Sequence, residues 1–296
     1  MTEDRTLLVT GASGHLGRRV VELLLEANAG RIVAVTRNPD KIADFGLRGV
    51  IVRKANFEEP ATLPDAFAGA DRMLMISTDA IDKPGRRLQQ HRNAVEAAAR
   101  GGVKHIVYTS MPNPDVSPVI FAPDHLGTEQ AIAGSGMTYT ILRDNWWIDY
   151  QVPALTQAVA SGQLFSAAGD GGAAYVTRED CARTAVAVLS STDTTKRTLN
   201  VTGATVVGSA ELARIVSGIT GRPVQYVPVT PEERKQQFIA AGIPAMFAEI
   251  LVSSQIAMAQ GKMGPPSTTV QDLLGRAPTS VAEFLSEKRA VLLGAA

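Results

Sequence analysis

One cysteine stands among the 296 residues, so an internal disulfide is excluded and a reducing compartment is the natural home. Net charge is missing as well: 29 basic side chains face 29 acidic ones, which leaves no basic excess to draw nucleic acid. The arginine pairs Arg18-Arg19 and Arg86-Arg87 lie in mixed sequence and read as solvated faces. No apolar run approaches the roughly 20 residues that cross a bilayer, and no basic-then-apolar leader precedes the first strand. These absences point to a cytoplasmic protein with neither a membrane nor a nucleic acid as partner. The four histidines, His15, His91, His105 and His125, have no metal-ligand spacing, so no metal is expected. Cys181 shares a helix face with Ala185 and Val188 and reads as core, not as a nucleophile.

What is present is an alternation. Short apolar, β-branched runs at Thr6–Thr10, Arg31–Thr36, Val50–Lys54, Arg72–Ser77, His105–Ser110 and Thr138–Leu142 are separated by segments of helical period. Those helices are expected near Leu16–Ala27, Lys41–Arg48, Ala61–Phe67, Arg86–Arg100 and Asp124–Ala133. The pattern predicts an α/β fold, a Rossmann-type doubly wound parallel sheet with right-handed crossovers. After Trp147 the regularity lapses into a helix near Val152–Ala160, a Gly169–Gly172 turn, a helix from Arg178, a strand Thr198–Thr202, a helix Ser209–Thr220, a strand Val224–Pro228 and a helix-rich tail. The expected division is a dinucleotide-binding domain over 1–150 and a smaller substrate-side domain over 151–296, with a strand at 197–202 returning to the sheet.

Between the first strand and the first helix runs Gly11-Ala12-Ser13-Gly14-His15-Leu16-Gly17. A glycine-rich match alone marks any tight turn. Here an apolar strand leads in, and Leu16, Val20, Leu23 and Leu24 give the next segment an apolar face. Gly11 permits the turn, Gly14 lets backbone N–H groups approach a pyrophosphate, and Gly17 lets the helix pack closely. The second strand ends in Arg37-Asn38, where a site for NAD would place a carboxylate on the ribose 2′-hydroxyl. A guanidinium there forks onto a 2′-phosphate and favours NADPH; the alternative is a surface arginine beside a site that takes either cofactor. Arg18 is placed to assist.

Short-chain dehydrogenases carry a Tyr and, four residues on, a Lys on the helix after the fifth strand. From Thr109 to Thr138 this chain has no tyrosine. His125 and Glu129 occupy i and i+4 of that helix instead, either as a proton donor with its orienting carboxylate or as supports of a helix start. A flat conjugated acceptor spreads incoming charge and needs placement more than acid catalysis. The proline-rich loop Met111–Pro123, with Met111 and Phe121, is either a wall for such an acceptor or packed core. Trp146 and Trp147 follow the sixth strand, where one ring either stacks on a substrate or is buried.

Gln90-His91-Arg92-Asn93, Thr36-Arg37-Asn38-Pro39, His125-Leu126-Gly127-Thr128-Glu129, Tyr139–Arg143 and Ala167–Gly171, taken with the glycine loop, resemble the NmrA-like atypical short-chain dehydrogenases over nearly the whole chain. Within that family the likeness is to the bacterial type 2 NAD(P)H:quinone oxidoreductases, and triphenylmethane dye reductases look similar over the same span. The resemblance implies a dinucleotide held by Gly11, Ser13, Gly14, His15, Leu16 and Gly17, Arg37 on the adenosine phosphate, Ser77 and Ser110 near the ribose and nicotinamide, and Asn145-Trp146 beside the acceptor. Two departures stand out: Ala55-Asn56 where relatives often carry an acid, and Asp144-Asn145 where they usually read Asn-Gly. The expected activity is NADPH-dependent reduction of a quinone-like acceptor. A dye or azo reductase and a non-catalytic NADP(H) sensor with a protein partner are the rival readings, and a homodimer is an assembly open to each.

Overall fold

The structure is a computed structural model and describes residues 5–295; the expectation about a leader concerns residues outside those described. In chain order the first elements are β1 (Thr6–Val9), α1 (His15–Glu26), β2 (Arg31–Thr36), α2 (Ala43–Gly46), β3 (Ile51–Lys54), α3 (Leu63–Phe67), β4 (Arg72–Met75), α4 (Arg86–Arg100), β5 (His105–Ser110), α5 (Ala122–Gly134) and β6 (Thr138–Asp144). There follow α6 (Val152–Ser161), β7 (Gln163–Ser166), β8 (Gly172–Ala173), α7 (Arg178–Ser190), β9 (Arg197–Val201), β10 (Val207–Gly208), α8 (Ser209–Thr220) and β11 (Gln225–Pro228). The tail is helical: α9 (Pro231–Ala240), α10 (Ala245–Ala259), α11 (Thr269–Leu274), α12 (Val281–Glu287) and α13 (Arg289–Leu292).

Among the described residues seven strands form one sheet in the order β3-β2-β1-β4-β5-β6-β9, and every pair from β3 to β6 is parallel. The order reverses between β1 and β4, and ligands of such sheets bind outside the carboxyl ends of the strands at that reversal. Central strands are covered on both faces, which is why Thr6-Leu7-Leu8-Val9 is buried throughout with no polar alternation. The expected helix Lys41–Arg48 is broken. Asn38 caps a short 3₁₀ turn at Pro39–Ile42 by accepting from the Asp40 N–H, and one turn of α2 follows.

Two compact units divide the chain, and the division is discontinuous rather than a cut near 150. The first comprises the residues up to Ser110, Asp124–Arg143 and Glu179–Leu199; the second comprises Met111–Pro123, Asp144–Arg178 and the residues from Asn200 on. The place of α7 in the first unit has a physical cause. Carbonyls at a helix C-terminus lack partners, and here buried Arg72 of β4 donates to the Val188, Leu189 and Asp193 oxygens while Arg5 donates to those of Ser190 and Ser191. The first unit's core runs from Leu8, Val33 and Met73 through Ala94 and Ala98 to Tyr108 and Ile141. In the second, helix-rich unit the core gathers Met111, Val119, Leu155, Tyr175, Val216, Met258 and Leu285. That unit also pairs β7 with β11 and β8 with β10, which the sequence did not suggest. Among the described residues no helix is long and apolar enough to cross a membrane.

Candidate dinucleotide-binding site

A groove of about 360 Å³ opens in the first unit at the reversal point. The loop after β1 contributes Gly11, Ser13 and Gly14, the end of β2 contributes Val35, Thr36 and Arg37, and Ala55, Asn56 and Phe57 follow β3. Ile76, Ser77, Thr78 and Asp79 follow β4, and Gln90 stands on α4. Gly11 has φ +61°, a conformation that side chains rarely adopt, and its carbonyl accepts from the Gly14 N–H at 2.9 Å. A Cβ on Gly17 would overlap the Gly11 carbonyl oxygen and lie 2.9 Å from Ala12 Cα, so the first turn of α1 can approach the loop only as glycine. No acidic residue occupies that turn, whose free N–H groups favour an anion.

The wall made by residues 76–78 is held in an unusual way. Three successive N–H groups are caught by side chains from three different elements: Ile76 by Thr10 Oγ1 at 2.9 Å, Ser77 by Thr109 Oγ1 at 2.9 Å, and Thr78 by His91 Nε2 at 3.0 Å. A backbone N–H can only donate, so Nε2 of His91 is the unprotonated nitrogen and Nδ1 carries the hydrogen. That Nδ1 reaches Thr128 Oγ1 at 2.9 Å, and Thr128 donates onward to the Asp124 carbonyl at 2.6 Å. Tyr108 completes the cluster, with its hydroxyl 2.9 Å from His125 Nδ1. Burial, with the Arg87 guanidinium nearby, lowers His91 to about 3 and holds His125 well below the usual imidazole range. Burial, above all, pushes the Tyr108 phenol up, which keeps it protonated.

The structure sorts the residues singled out from the sequence. Gly11, Ser13, Gly14, Arg37 and Ser77 line the groove, and Ser13 is bonded to Thr36 Oγ1 at 2.7 Å. His15, Leu16 and Gly17 form the first turn of α1 beside it, with the Leu16 side chain buried. Arg37 is exposed and lies 3.4 Å from Asp79. Arg18, expected to assist, is bound by Asp44 and the Lys41 carbonyl and lies over the Phe45 ring. His125 is buried, its Nδ1 lies 2.9 Å from the Tyr108 hydroxyl, and burial holds it well below the usual imidazole range. Glu129 is gripped by Arg143 at 2.7 Å and accepts from Ser110 Oγ at 2.6 Å, at the carboxyl end of β5.

In the second unit Met111, only 6% exposed, packs in the core, the second of the two readings of its loop. Asn145 is buried, donates to the Met263 carbonyl and accepts from the Trp146 N–H, so its amide secures its own unit. Phe121 and Trp146 are half-buried against that unit's core. Trp147 stacks on Tyr150 at 5.4 Å, with Arg178 over both rings. Sequence reasoning missed Asp79, Gln90, Thr78 and the His91–Tyr108 cluster. One signal was available: His91 interrupts the small apolar stripe of α4 at Ala94, Val95 and Ala98, where a polar residue needs a buried partner. Asn56, at the doubtful adenine position, is bonded within its own turn to Glu59 and the Glu58 N–H.

A family model described as NAD(P)H-binding matches residues 11–192, which span the glycine loop, the groove and α7. Quinone oxidoreductase 2 of Escherichia coli is 33% identical over 281 residues, covering 95% of this chain and 97% of that protein. Its crystal structure with NADPH superposes with a TM-score of 0.91, over 95% of this chain and 99% of that one. Triphenylmethane reductase of Citrobacter sp. in complex with NADP(H) is 35% identical at a TM-score of 0.90, over 96% and 99% of the two chains. An NmrA-like family domain-containing oxidoreductase of Aspergillus flavus is 30% identical over 301 residues, 95% of each chain. On both sequence and fold the chain belongs to the NAD(P)H-binding family, among its NmrA-like members.

Proposed function

We propose that this protein is an NADPH-dependent reductase that passes a hydride to quinones or similar conjugated acceptors. The observation that carries the cofactor reading is the Gly11–Gly17 cradle facing a β2 end that holds Arg37 and no carboxylate. A Cβ at Gly17 would meet the Gly11 and Ala12 backbone, so only glycine lets the first turn of α1 close onto the loop that lines the groove, the packing expected of a pyrophosphate site. Arg37 would take the 2′-phosphate in place of Asp79, and the first-turn N–H groups of α1 would face the pyrophosphate. When bound, NADPH supplies the hydride. Reduction also consumes a proton, and with His125 neutral and enclosed beside Tyr108 the proton comes from solvent. That division of labour fits acceptors whose charge is delocalised, for which placement matters more than acid catalysis. The lone buried Cys181 suits a cytoplasmic setting.

A dye-reducing activity on the same site is supported by the 35% identity to the Citrobacter reductase. Steady-state NADPH oxidation against a panel of quinones, triphenylmethane dyes and azo dyes decides between them by kcat/KM. Protein saturated with NADPH that oxidises it no faster than background with every acceptor would overturn the enzymatic reading and leave a cofactor-binding sensor.

A further inference from the structure

Ser110 ends β5, and its environment fixes the direction in which its hydroxyl works. The hydroxyl donates to Glu129 Oε1 at 2.6 Å, a length typical of a charge-assisted bond. Glu129 is clamped from the other side by a forked contact: Arg143 Nε lies 3.0 Å from Oε1 and Nη2 lies 2.7 Å from Oε2. The two charged side chains are only 22% and 11% exposed, so solvent does little to loosen them. A carboxylate held by a guanidinium accepts hydrogen bonds and offers none, so the single proton of Ser110 is committed inward. What remains to Ser110 is acceptance through its oxygen lone pairs.

Ser110 also stands at the same carboxyl edge of the sheet as the groove, on the strand next to its Ile76–Asp79 wall. Met75 pairs with Tyr108 in the β4–β5 register, which brings Ser77 on the groove wall level with Ser110, and the Ser77 N–H is bonded to Thr109. From Arg37 at the end of β2, the row β2-β1-β4-β5 spans three strand spacings, about 14 Å, the reach of an extended dinucleotide. We propose that Ser110 is an acceptor for the carboxamide N–H of the nicotinamide, and that Glu129 and Arg143 are positioning residues that hold it in that polarity. A serine whose hydroxyl donated would instead favour the carboxamide oxygen and turn that group over. The proposal rests on the NADPH reading above and adds the part of the cofactor that this end of the sheet recognises.

Fluorescence titration of NADPH and of its reduced 3-acetylpyridine analogue tests it, because the analogue carries a methyl ketone and cannot donate. Ser110→Ala should weaken NADPH binding about three- to tenfold, the worth of one neutral hydrogen bond, and change analogue binding less than twofold. Ser110→Thr, which keeps the hydroxyl, should restore the wild-type difference between the two cofactors. Glu129→Gln frees Ser110 to rotate, and it should shrink that difference in the same way as Ser110→Ala. An equal loss for both cofactors would mean that Ser110 serves the ribose or the fold, and no loss for either would mean that it touches neither; each result overturns the proposal. Wild-type turnover is read separately, so a chain that binds NADPH yet reduces no quinone defeats the enzymatic reading while leaving the titration intact.

Discussion

The two ends of the groove are built from different materials. At β1 the backbone makes the surface: a left-handed Gly11, a helix turn brought close at Gly17, and N–H groups left free by helix geometry. At the wall after β4 side chains hold it: Thr109 and His91 catch the N–H groups of Ser77 and Thr78, and Tyr108 and His125 join the same cluster. A backbone-built surface needs particular residues at particular spacings in one stretch of chain. A side-chain-built surface needs residues that meet only after folding, so it tolerates other residue types and leaves a fainter mark. Substitutions at the two ends should therefore fail in different ways.

The largest effect is expected where there is no slack. Gly17→Ala places a methyl group against the Gly11 carbonyl and Ala12 Cα, backbone that cannot rotate aside, and should cost about 3 kcal/mol of stability together with NADPH binding. Gly14→Ala meets only the Gly11 oxygen, at 3.3 Å, from an ordinary φ of −82°, and should cost about 1 kcal/mol or less. Chemical denaturation and cofactor titration of both variants check the order. Equal effects at the two positions would mean that the loop yields as a whole.

At the side-chain end the sensitive variable is pH. His91 is held near 3 by burial, against an ordinary value of about 6.5, so the folded state favours the neutral ring. Its contribution is complete above pH 6.5 and is lost as pH falls from there toward 3, because protonation occupies the Nε2 that accepts from Thr78. His105, bonded to Thr138 and Thr140 and lowered to about 4 chiefly by burial, adds to the same slope. Thermal unfolding across that range should show the loss, and His91→Gln, which keeps an acceptor but does not titrate, should flatten it by roughly 2 kcal/mol or more. A slope unchanged in the variant would place the acid sensitivity elsewhere.

The same contrast explains what was legible in the sequence. The parallel sheet could be read because β1, β2 and β5 are short apolar runs bounded by polar or glycine residues, and β2 and β5 match their expected bounds residue for residue. The glycine loop could be read because its whole geometry lies within seven residues. Arg37 followed from its place after β2, whereas Asp79, its exposed partner, comes from a loop 42 positions away and gave no signal. The helical spacing of His125 and Glu129 allows either a proton donor with its orienting carboxylate or two supports of a helix start. The folded chain brings His125 to Tyr108, 17 residues earlier on a neighbouring strand, and Glu129 to Arg143, so each half of the pair belongs to a different cluster. Met111 was ambiguous because an apolar loop beside a site and an apolar loop in a core share one composition. Its burial decides for the core.

Between the extremes stands Arg37, a side chain on the backbone-built end. Its side chain is 68% exposed and, among the described residues, Asp79 at 3.4 Å is its ion-pair partner, so it is available to a phosphate. Arg37→Ala should weaken NADPH binding by about 1.5–3 kcal/mol, leave NADH binding unchanged and so narrow the preference, as read by titrating both cofactors. A variant that keeps the wild-type preference would reduce Arg37 to a surface residue.

The smallest effect sharpens the comparison most, because it asks whether side chains also tune the backbone-built end. Asp79 lines the groove and is 82% exposed, and its carboxylate lies within an ion-pair distance of Arg37. Any 2′-phosphate that takes the guanidinium must displace that carboxylate or share the arginine with it, and the phosphate also meets its negative charge. Exposed ion pairs are worth at most about 1 kcal/mol, so Asp79→Asn should tighten NADPH binding by about two- to fivefold. NADH carries no phosphate there, and its affinity should not move. In the Arg37→Ala background the gain should fall to the part due to direct repulsion alone, and raising ionic strength should shrink both contributions. Titrating the four proteins with both cofactors at low and high salt gives the coupling between the two residues. If Asp79→Asn tightens NADH as much as NADPH, the carboxylate acts on the shape of the loop after β4 and not on the charge that Arg37 presents.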